Sequence, residues 1–215
     1  MKTLFGMLGK ALVFSLVMMV LCSLLYPMAL TGVSQLTMKG KANGNLIDKN
    51  GELTTNAEEA VGSALVGQDF TEEYFFKGRV SAVGYNTYTQ EAKESGDYGG
   101  VSSGSFNYGN SNPALKERIQ ADLSALLEAH PGVKAEDVPS DLLTASGSGL
   151  DPHISVEAAN IQIPVISKKS GLSEEKLKGI VADNTEKKVL GVFGENKVNV
   201  LMCNLDIAQE LGILN

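Results

Sequence analysis

The sequence predicts an α+β protein: a single N-terminal transmembrane helix followed by one soluble α+β domain with a small sheet. Three observations predict it. Residues 11–33, ALVFSLVMMVLCSLLYPMALTGV, carry no charge. Further on, apolar residues recur at helical spacing behind capping signals at Asn112, Ser155 and Ser173, the mark of amphipathic helices. Near the C-terminus Val198, Val200 and Met202 alternate with Asn199, Leu201 and Cys203, a period of two that belongs to a strand.

The apolar run of 23 residues exceeds the roughly 20 needed to cross a bilayer core. A cleaved signal peptide has an apolar core of only about 7–15 residues ending in small residues, so residues 11–33 read as an uncleaved anchor. Cys22 follows the bulky Leu21, which argues against a lipoprotein signal. Lys10, in the flank 1–10 with Lys2, adjoins the span, whereas Lys39 and Lys41 lie six and eight residues beyond it. Basic residues favour the cytoplasmic side. The expected placement is therefore a single-pass protein of the cell membrane, its N-terminus cytoplasmic and its soluble domain outside.

With Lys2 and Lys10 set aside, the residues after Val33 keep 16 of the 18 basic side chains and all 25 acidic ones, a formal charge of −9. Nucleic acid rewards a basic face, so no nucleic-acid partner is expected. Tight attachment of the domain to anionic headgroups is disfavoured too, leaving membrane lipid around the anchor. Cys22 lies in the span and Cys203 in an apolar run, so the two cysteines form no disulfide framework.

Residues 34–60 are polar and rich in Gly, Asn and Lys, which reads as an irregular connector, with the domain occupying 61–215. Gly62, Gly67 and Gly78 punctuate short strands or turns over 62–82, and the Gly-, Ser- and Asn-rich stretch 83–111 reads as a long loop. Asn112 and Pro113 form a cap and first-turn pair. Leu115, Ile119, Leu123, Leu126 and Leu127 then share one helix face, and His130-Pro131-Gly132 ends the helix. Ser155 caps a second helix, which Pro164 is expected to end or kink. Ser173 caps a third whose inner face is Leu177, Ile180 and Val181, with Glu174 and Glu175 near its positive end. The β-like segment 189–203 follows, and a last helix is expected from Leu205 to Leu211, capped by Asn204.

The segment 138–164 concentrates glycine, serine, Asp151 and His153 ahead of a helix and invites an active-site reading. A phosphate loop requires G-x-x-x-x-G-K-[ST], in which backbone amides and a lysine hold phosphates, and Gly147 and Gly149 have no such context. A membrane-anchored extracytoplasmic hydrolase using Ser148 and His153 is the alternative, but no G-x-S-x-G elbow is present. Asp151 ahead of Pro152 suits an Asx-turn, with His153 bonded to backbone. His130 and His153, the chain's two histidines, have no partner at ligand spacing, so no metal site is expected. Tyr74, Phe75 and Phe76, next to glycine turns, suit a core better than a binding stripe. The residues point to an anchored domain that works through something else, with no catalytic residues of its own.

Several stretches together resemble the C chain of the potassium-transporting P-type ATPase, the KdpC family. They run, in order, Ala42-Asn43-Gly44-Asn45-Leu46-Ile47; GSALVGQDF from Gly62 to Phe70; Lys77-Gly78-Arg79 and Ser81-Ala82; Asn107; Ser111-Asn112-Pro113; Thr144-Ala145-Ser146-Gly147-Ser148-Gly149-Leu150-Asp151 with His153-Ile154-Ser155; Gln162 and Pro164; and Leu190-Gly191, Gly194-Glu195 and Val198-Asn199-Val200. Each motif is short, but their order and spacing cover nearly the whole chain. Departures are Val80 and Asn110 where relatives have proline, and Val165 where the usual residue is Arg. A missing Arg beside Gln162 weakens any grip on phosphate.

The resemblance implies a non-catalytic accessory subunit of a high-affinity ATP-driven potassium uptake pump. It would stand beside a potassium-binding channel-like subunit and an ATP-hydrolysing P-type subunit. It also implies a catalytic-chaperone role that raises the hydrolytic subunit's affinity for ATP, with Gln162 as a nucleotide contact. The family-motif loop is Ser146, Gly147, Ser148, Gly149, Asp151 and His153. A domain outside the membrane could not touch cytoplasmic ATP, and would instead brace the potassium-binding subunit.

Overall fold

The computed structural model describes residues 2–97 and 99–214. They divide after Asn45 into two units. The first is helical: α1 (Lys2–Met19), a π-helical stretch (Val20–Leu25), α2 (Tyr26–Thr37) and a single turn, α3 (Lys39–Ala42). Phe5–Thr37 is long and apolar enough to cross a membrane, with mean hydropathy 2.2, and extends the predicted span at both ends. Its 33 residues reach roughly 50 Å at about 1.5 Å each, against a hydrocarbon core of about 30 Å. The π-helical stretch has a local cause. Pro27 cannot donate to the carbonyl one turn back, and the Tyr26 N–H just before it already reaches five residues back to Leu21 O, so the ladder widens where proline removes a donor.

The second unit begins with β1 (Leu46–Asp48), paired antiparallel to β2 (Ala60–Ser63). The stretch 34–60 is thus less irregular than expected. Ile47 is buried in a small cluster with Leu201 and Leu205, and that apolar anchor draws the segment into the domain. The long loop 83–111 also holds a short helix, α4 (Gln90–Ser95), capped by Thr89 and closed by Gly96. α5 (Pro113–Ala129) starts on the Asn112 cap, whose side chain accepts from the Ala114 N–H. Its expected apolar face is the half-buried one.

α6 (Val156–Ser170) is capped by Ser155 and continues past Pro164, so of the two expected effects, ending or kinking the helix, the first does not occur. Pro164 and Asn160, one turn back, both lie on the exposed face, where water satisfies the carbonyl that proline leaves without a donor. α7 (Glu174–Asp183) begins at Ser173 and buries Leu177, Ile180 and Val181 as expected. The expected strand over 189–203 is largely absent. A three-stranded antiparallel sheet of β3 (His153–Ile154), β5 (Lys197–Asn199) and β4 (Thr185–Glu186), in that order, takes only three residues from it. α8 (Val200–Glu210) starts immediately after, because the Asn199 side chain accepts the Met202 N–H and caps the helix. The cap is thus Asn199, and Asn204 lies inside the helix.

The core gathers α6, α7, α8 and β5 around Ala158, Ala159, Ile163, Ile166, Leu177, Ile180, Val198, Cys203 and Ile207, with Phe76 driven into it from the 62–82 segment. The core reading of Phe76 holds, and Phe75 packs against the same cluster. Burying a side chain of this size contributes about 1.5–3 kcal/mol. Phe76 therefore fixes where the irregular segment crosses the helices, and with it the position of the site.

Candidate functional site

The segment 144–151 is a hub held from three sides. The chain's two arginines meet at its base: Arg118 donates to Leu143 O at 3.1 Å, and Arg79 reaches Thr144 Oγ1 at 3.4 Å and Asp151 Oδ2 at 3.2 Å. A guanidinium fork can hold a carbonyl and a carboxylate together, which an ammonium group does poorly. Within the loop, Ser146 is buried and its Oγ accepts the Gly149 N–H at 2.7 Å, while Ser148 Oγ accepts the Leu150 N–H at 3.1 Å. From outside, Ser146 N donates to Val80 O, Gly104 N to Ser148 O, and Gly67 N to Leu150 O, while Ser81 Oγ donates to Gly149 O at 2.6 Å.

Two glycines are required by space. Gly149 has φ +69°, and a Cβ there would stand 2.7 Å from Val83 Cγ2 and 2.8 Å from Gly104 O. At Gly67 a Cβ would meet the Tyr85 ring at 2.5 Å and Asp151 O at 2.6 Å. Tyr85 fills the gap that Gly67 and Gly78 leave and donates to Arg79 O at 2.6 Å. Burial, with the carboxylates of Asp151 and Asp69 nearby, pushes its hydroxyl up to about 12.

Asp151 and His153 line a cleft of ≈ 880 Å³ together with Arg79, Asp141, Ser155 and Lys197, among others. Ser146, Gly147, Ser148 and Gly149 do not line it. The Asx-turn is as expected: Asp151 Oδ1 accepts the His153 N–H at 3.0 Å. The His153 ring bonds elsewhere than expected, its Nε2 lying 3.2 Å from the Glu186 carboxylate and not on backbone. Glu186 in turn pairs with Lys197 at 3.0 Å. The His153 ring (Nδ1 at 3.5 Å), the His153 N–H and Arg79 together hold the Asp151 carboxyl down to about 2, against burial. Asp141 accepts from Ser155 N at 2.7 Å and from Ser155 Oγ at 3.1 Å, adding a carboxylate at the positive end of α6.

Gln162 lies apart from this cleft, only 2% exposed. Its Oε1 accepts from Lys77 N at 2.8 Å, and its Nε2 donates to Ala158 O at 3.0 Å and Lys77 O at 3.3 Å. Asn204 does the same one residue earlier: Phe76 N donates to its Oδ1 at 2.8 Å, and its Nδ2 donates to Phe76 O at 2.9 Å. Two buried amides, one from α6 and one from α8, thus replace a neighbouring strand for residues 76–77 and satisfy backbone groups carried inside by Phe76.

The arrangement is suited to shape and charge recognition. Carboxylates outnumber cations along the cleft: Glu136, Asp137, Asp141, Asp151, Glu157 and Glu195 against Arg79 and Lys197. No hydrogen bond joins Ser148 to His153 among the described residues; each is bonded elsewhere. Nor do those residues include three or more His, Cys, Asp or Glu grouped to hold a metal ion. Sequence reasoning missed Asp141, Glu186 and Lys197, which come from separate segments and share no spacing signal. Arg79 entered only within a motif, although a chain with two arginines among 18 basic residues marks both as positions where lysine geometry fails.

A helix long and apolar enough to cross a membrane, followed by an α+β domain, is a layout consistent with a single-pass membrane protein. Residues 8–209 match the family model described as KdpC: K+-transporting ATPase, c chain. The potassium-transporting ATPase KdpC subunit of Clostridium kluyveri is 54% identical over 215 residues, covering 100% of this chain and 99% of that one. That of Clostridioides difficile is 55% identical over 219 residues and covers both chains fully. That of Caldanaerobacter subterraneus subsp. tengcongensis is 41% identical over 202 residues, 94% of each. The chain belongs to the KdpC family.

Proposed function

We propose that this chain is the accessory subunit of a potassium-transporting P-type ATPase, anchored by α1 and α2, and that it works by docking its domain on the other subunits. The observation that carries this reading is identity above 50% over the full length with proteins of that name. The partners are the potassium-binding channel-like subunit and the ATP-hydrolysing subunit, and ATP belongs to the latter. The domain lies outside and braces the potassium-binding subunit, in line with the lysines that flank the span.

The committed polar groups of the 144–151 hub support a docking part over an enzyme. Ser148 accepts an amide proton and His153 faces Glu186, which leaves the hydrolase alternative without a nucleophile–base pair. For Gln162 to contact nucleotide it would have to abandon Lys77 and Ala158, so we assign it to tethering; any effect on ATP affinity then passes through docking. The test is reconstitution. The purified chain alone is expected to hydrolyse no ATP, and its addition to the other subunits to restore potassium-stimulated hydrolysis. ATP hydrolysis by the isolated chain, abolished by Ser148→Ala, would overturn the reading. Protease protection in sealed membranes of known orientation reports the side of the domain.

A further inference from the structure

We propose that the hairpin 187–197 is a plug whose apolar tip seats in an acid-rimmed apolar pocket on another subunit of the pump, an inference that rests on the reading of the chain as a pump subunit. β4 and β5 are joined by KKVLGVFGEN; Glu195 and Asn196 at its end line the cleft, but its apolar tip is left unexplained by hub and cleft alike. At its tip Val189, Leu190, Val192 and Phe193 are 66, 85, 73 and 64% exposed. Elsewhere on the domain Leu53 and Val101 stand singly, which is ordinary for a soluble surface, and the one other neighbouring group among the described aliphatics, Val61, Leu65 and Val66, is less exposed, at 38, 55 and 41%. Four together on one turn are not ordinary.

The tip is also fixed in shape. Val189 and Phe193 exchange both backbone hydrogen bonds, at 2.9 and 3.0 Å, and Val192 N donates to Val189 O at 3.2 Å. Leu190 and Gly191 both have positive φ, 54° and 74°, as a tight hairpin turn of the primed type demands. Leucine is a poor residue for that conformation, and Asn or Gly would hold it with less strain. A strained leucine at the most exposed point of a preorganised turn serves a contact outside the chain, and the fixed turn spares the ordering cost of docking.

Charge selects the occupant. The domain is strongly acidic, yet this turn carries Lys187, Lys188 and Lys197 against Glu195. Lys197 pairs with Glu186, while the ammonium groups of Lys187 and Lys188 have no carboxylate partner among the described residues. A pocket with an apolar floor and carboxylates at its rim complements both features. A lipid surface fits less well, since the −9 charge of the residues after Val33 opposes anionic headgroups and the rigid tip offers a single aromatic.

The experiment uses the assembled pump in its membrane, with p-benzoyl-phenylalanine incorporated in place of Phe193. Irradiation is expected to join this chain to another pump subunit. Leu190→Asn in the same chain should cut the yield about tenfold or more, as loss of a central anchor does, and Lys187→Glu with Lys188→Glu severalfold. Because Asn accepts the Leu190 backbone geometry more readily, an unchanged melting temperature of the purified chain separates lost docking from misfolding. Cross-links to lipid alone, no cross-link from a chain that co-purifies with the pump, or a yield indifferent to Leu190→Asn overturns the plug. A wild-type chain that does not co-purify overturns the subunit reading instead.

Discussion

The 144–151 hub and the 187–197 hairpin invert what their compositions suggest. The hub is made of glycine, serine, threonine and aspartate, the residues of a reactive or solvated loop, yet Ser146 is buried and the other polar groups are bonded to Val80, Gly104, Gly67 and Arg79. The hairpin contributes Val, Leu and Phe, the residues of a core, and exposes all of them. Polar groups brought inside must find partners, and apolar groups left outside gain when something covers them. The hub's own serine and aspartate groups are thus bonded within the chain, with only the Nε atoms of its tethers Arg79 and Arg118 buried without a partner among the described residues, whereas the hairpin needs another molecule.

If the hub is a finished internal structure, the changes that break it lower stability, with no ligand involved. The largest effect is expected from Gly149→Ala. The left-handed φ costs about 1 kcal/mol for a non-glycine residue, and contacts under 3 Å with Val83 and the Gly104 carbonyl add about 1–3 more. A loss of about 3 kcal/mol corresponds to a melting temperature lower by roughly 6–12 °C for a chain of this size, measurable by thermal denaturation in detergent. Gln162→Ala comes next. It strips partners from Lys77 N and O, at about 2–3 kcal/mol, and the loss should be present in the complete absence of nucleotide. Unchanged stability without nucleotide, together with weakened ATP affinity of the pump, would return Gln162 to the role the family resemblance implies.

The parts legible in the sequence were those with local causes. α5 and α7 were readable because Asn112 and Ser173 are caps and the apolar residues behind them keep helical period; the Asx-turn at Asp151 was readable because Asp-x-His closes on itself. α8 was misread because Val198 to Cys203 alternates like a strand, while the deciding bond, Asn199 to the Met202 N–H, competes with that pattern and wins through burial of Leu201, Leu205 and Ile207 on helical faces. That α6 continues past Pro164 was not legible, because the consequence of a proline depends on which side of the helix meets water. The tethers of Gln162 to Lys77 and of Asn204 to Phe76 span separations of 85 and 128 residues, and a single sequence has no local signal for such pairs.

The cleft side of the hub adds a pH-dependent effect of middle size. Asp151 has its carboxyl lowered from 3.8 to about 2, so the folded state favours the ionised form more than the unfolded chain does. Its contribution is present above about pH 4 and is lost as pH falls from about 4 through 2. Asp151→Asn should therefore cost about 1–2 kcal/mol near neutral pH, the upper figure being reduced because the side chain is partly solvated. The gap between wild type and variant should close on acidification, followed as unfolding midpoints in denaturant between pH 7 and 2. A gap constant across that range would mean that Arg79 and His153 hold Asp151 by shape and not by charge.

The smallest effect tests the comparison most directly, because it falls on the residue that most resembles a nucleophile. Ser148 Oγ accepts one amide proton, from Leu150, and Ser148 is half-buried, so water can take over much of that bond in Ser148→Ala. Loss of a single neutral hydrogen bond costs about 0.5–1.5 kcal/mol, and water access places this case at the lower end. Pump assembly and potassium-stimulated hydrolysis should then match the wild type. Leu190→Asn, with no internal contact to lose at 85% exposure, is expected to leave stability equal or slightly higher while assembly falls. If Ser148→Ala abolishes pump activity at full stability, the hub does more than hold itself together, and the contrast with the hairpin fails on its polar side.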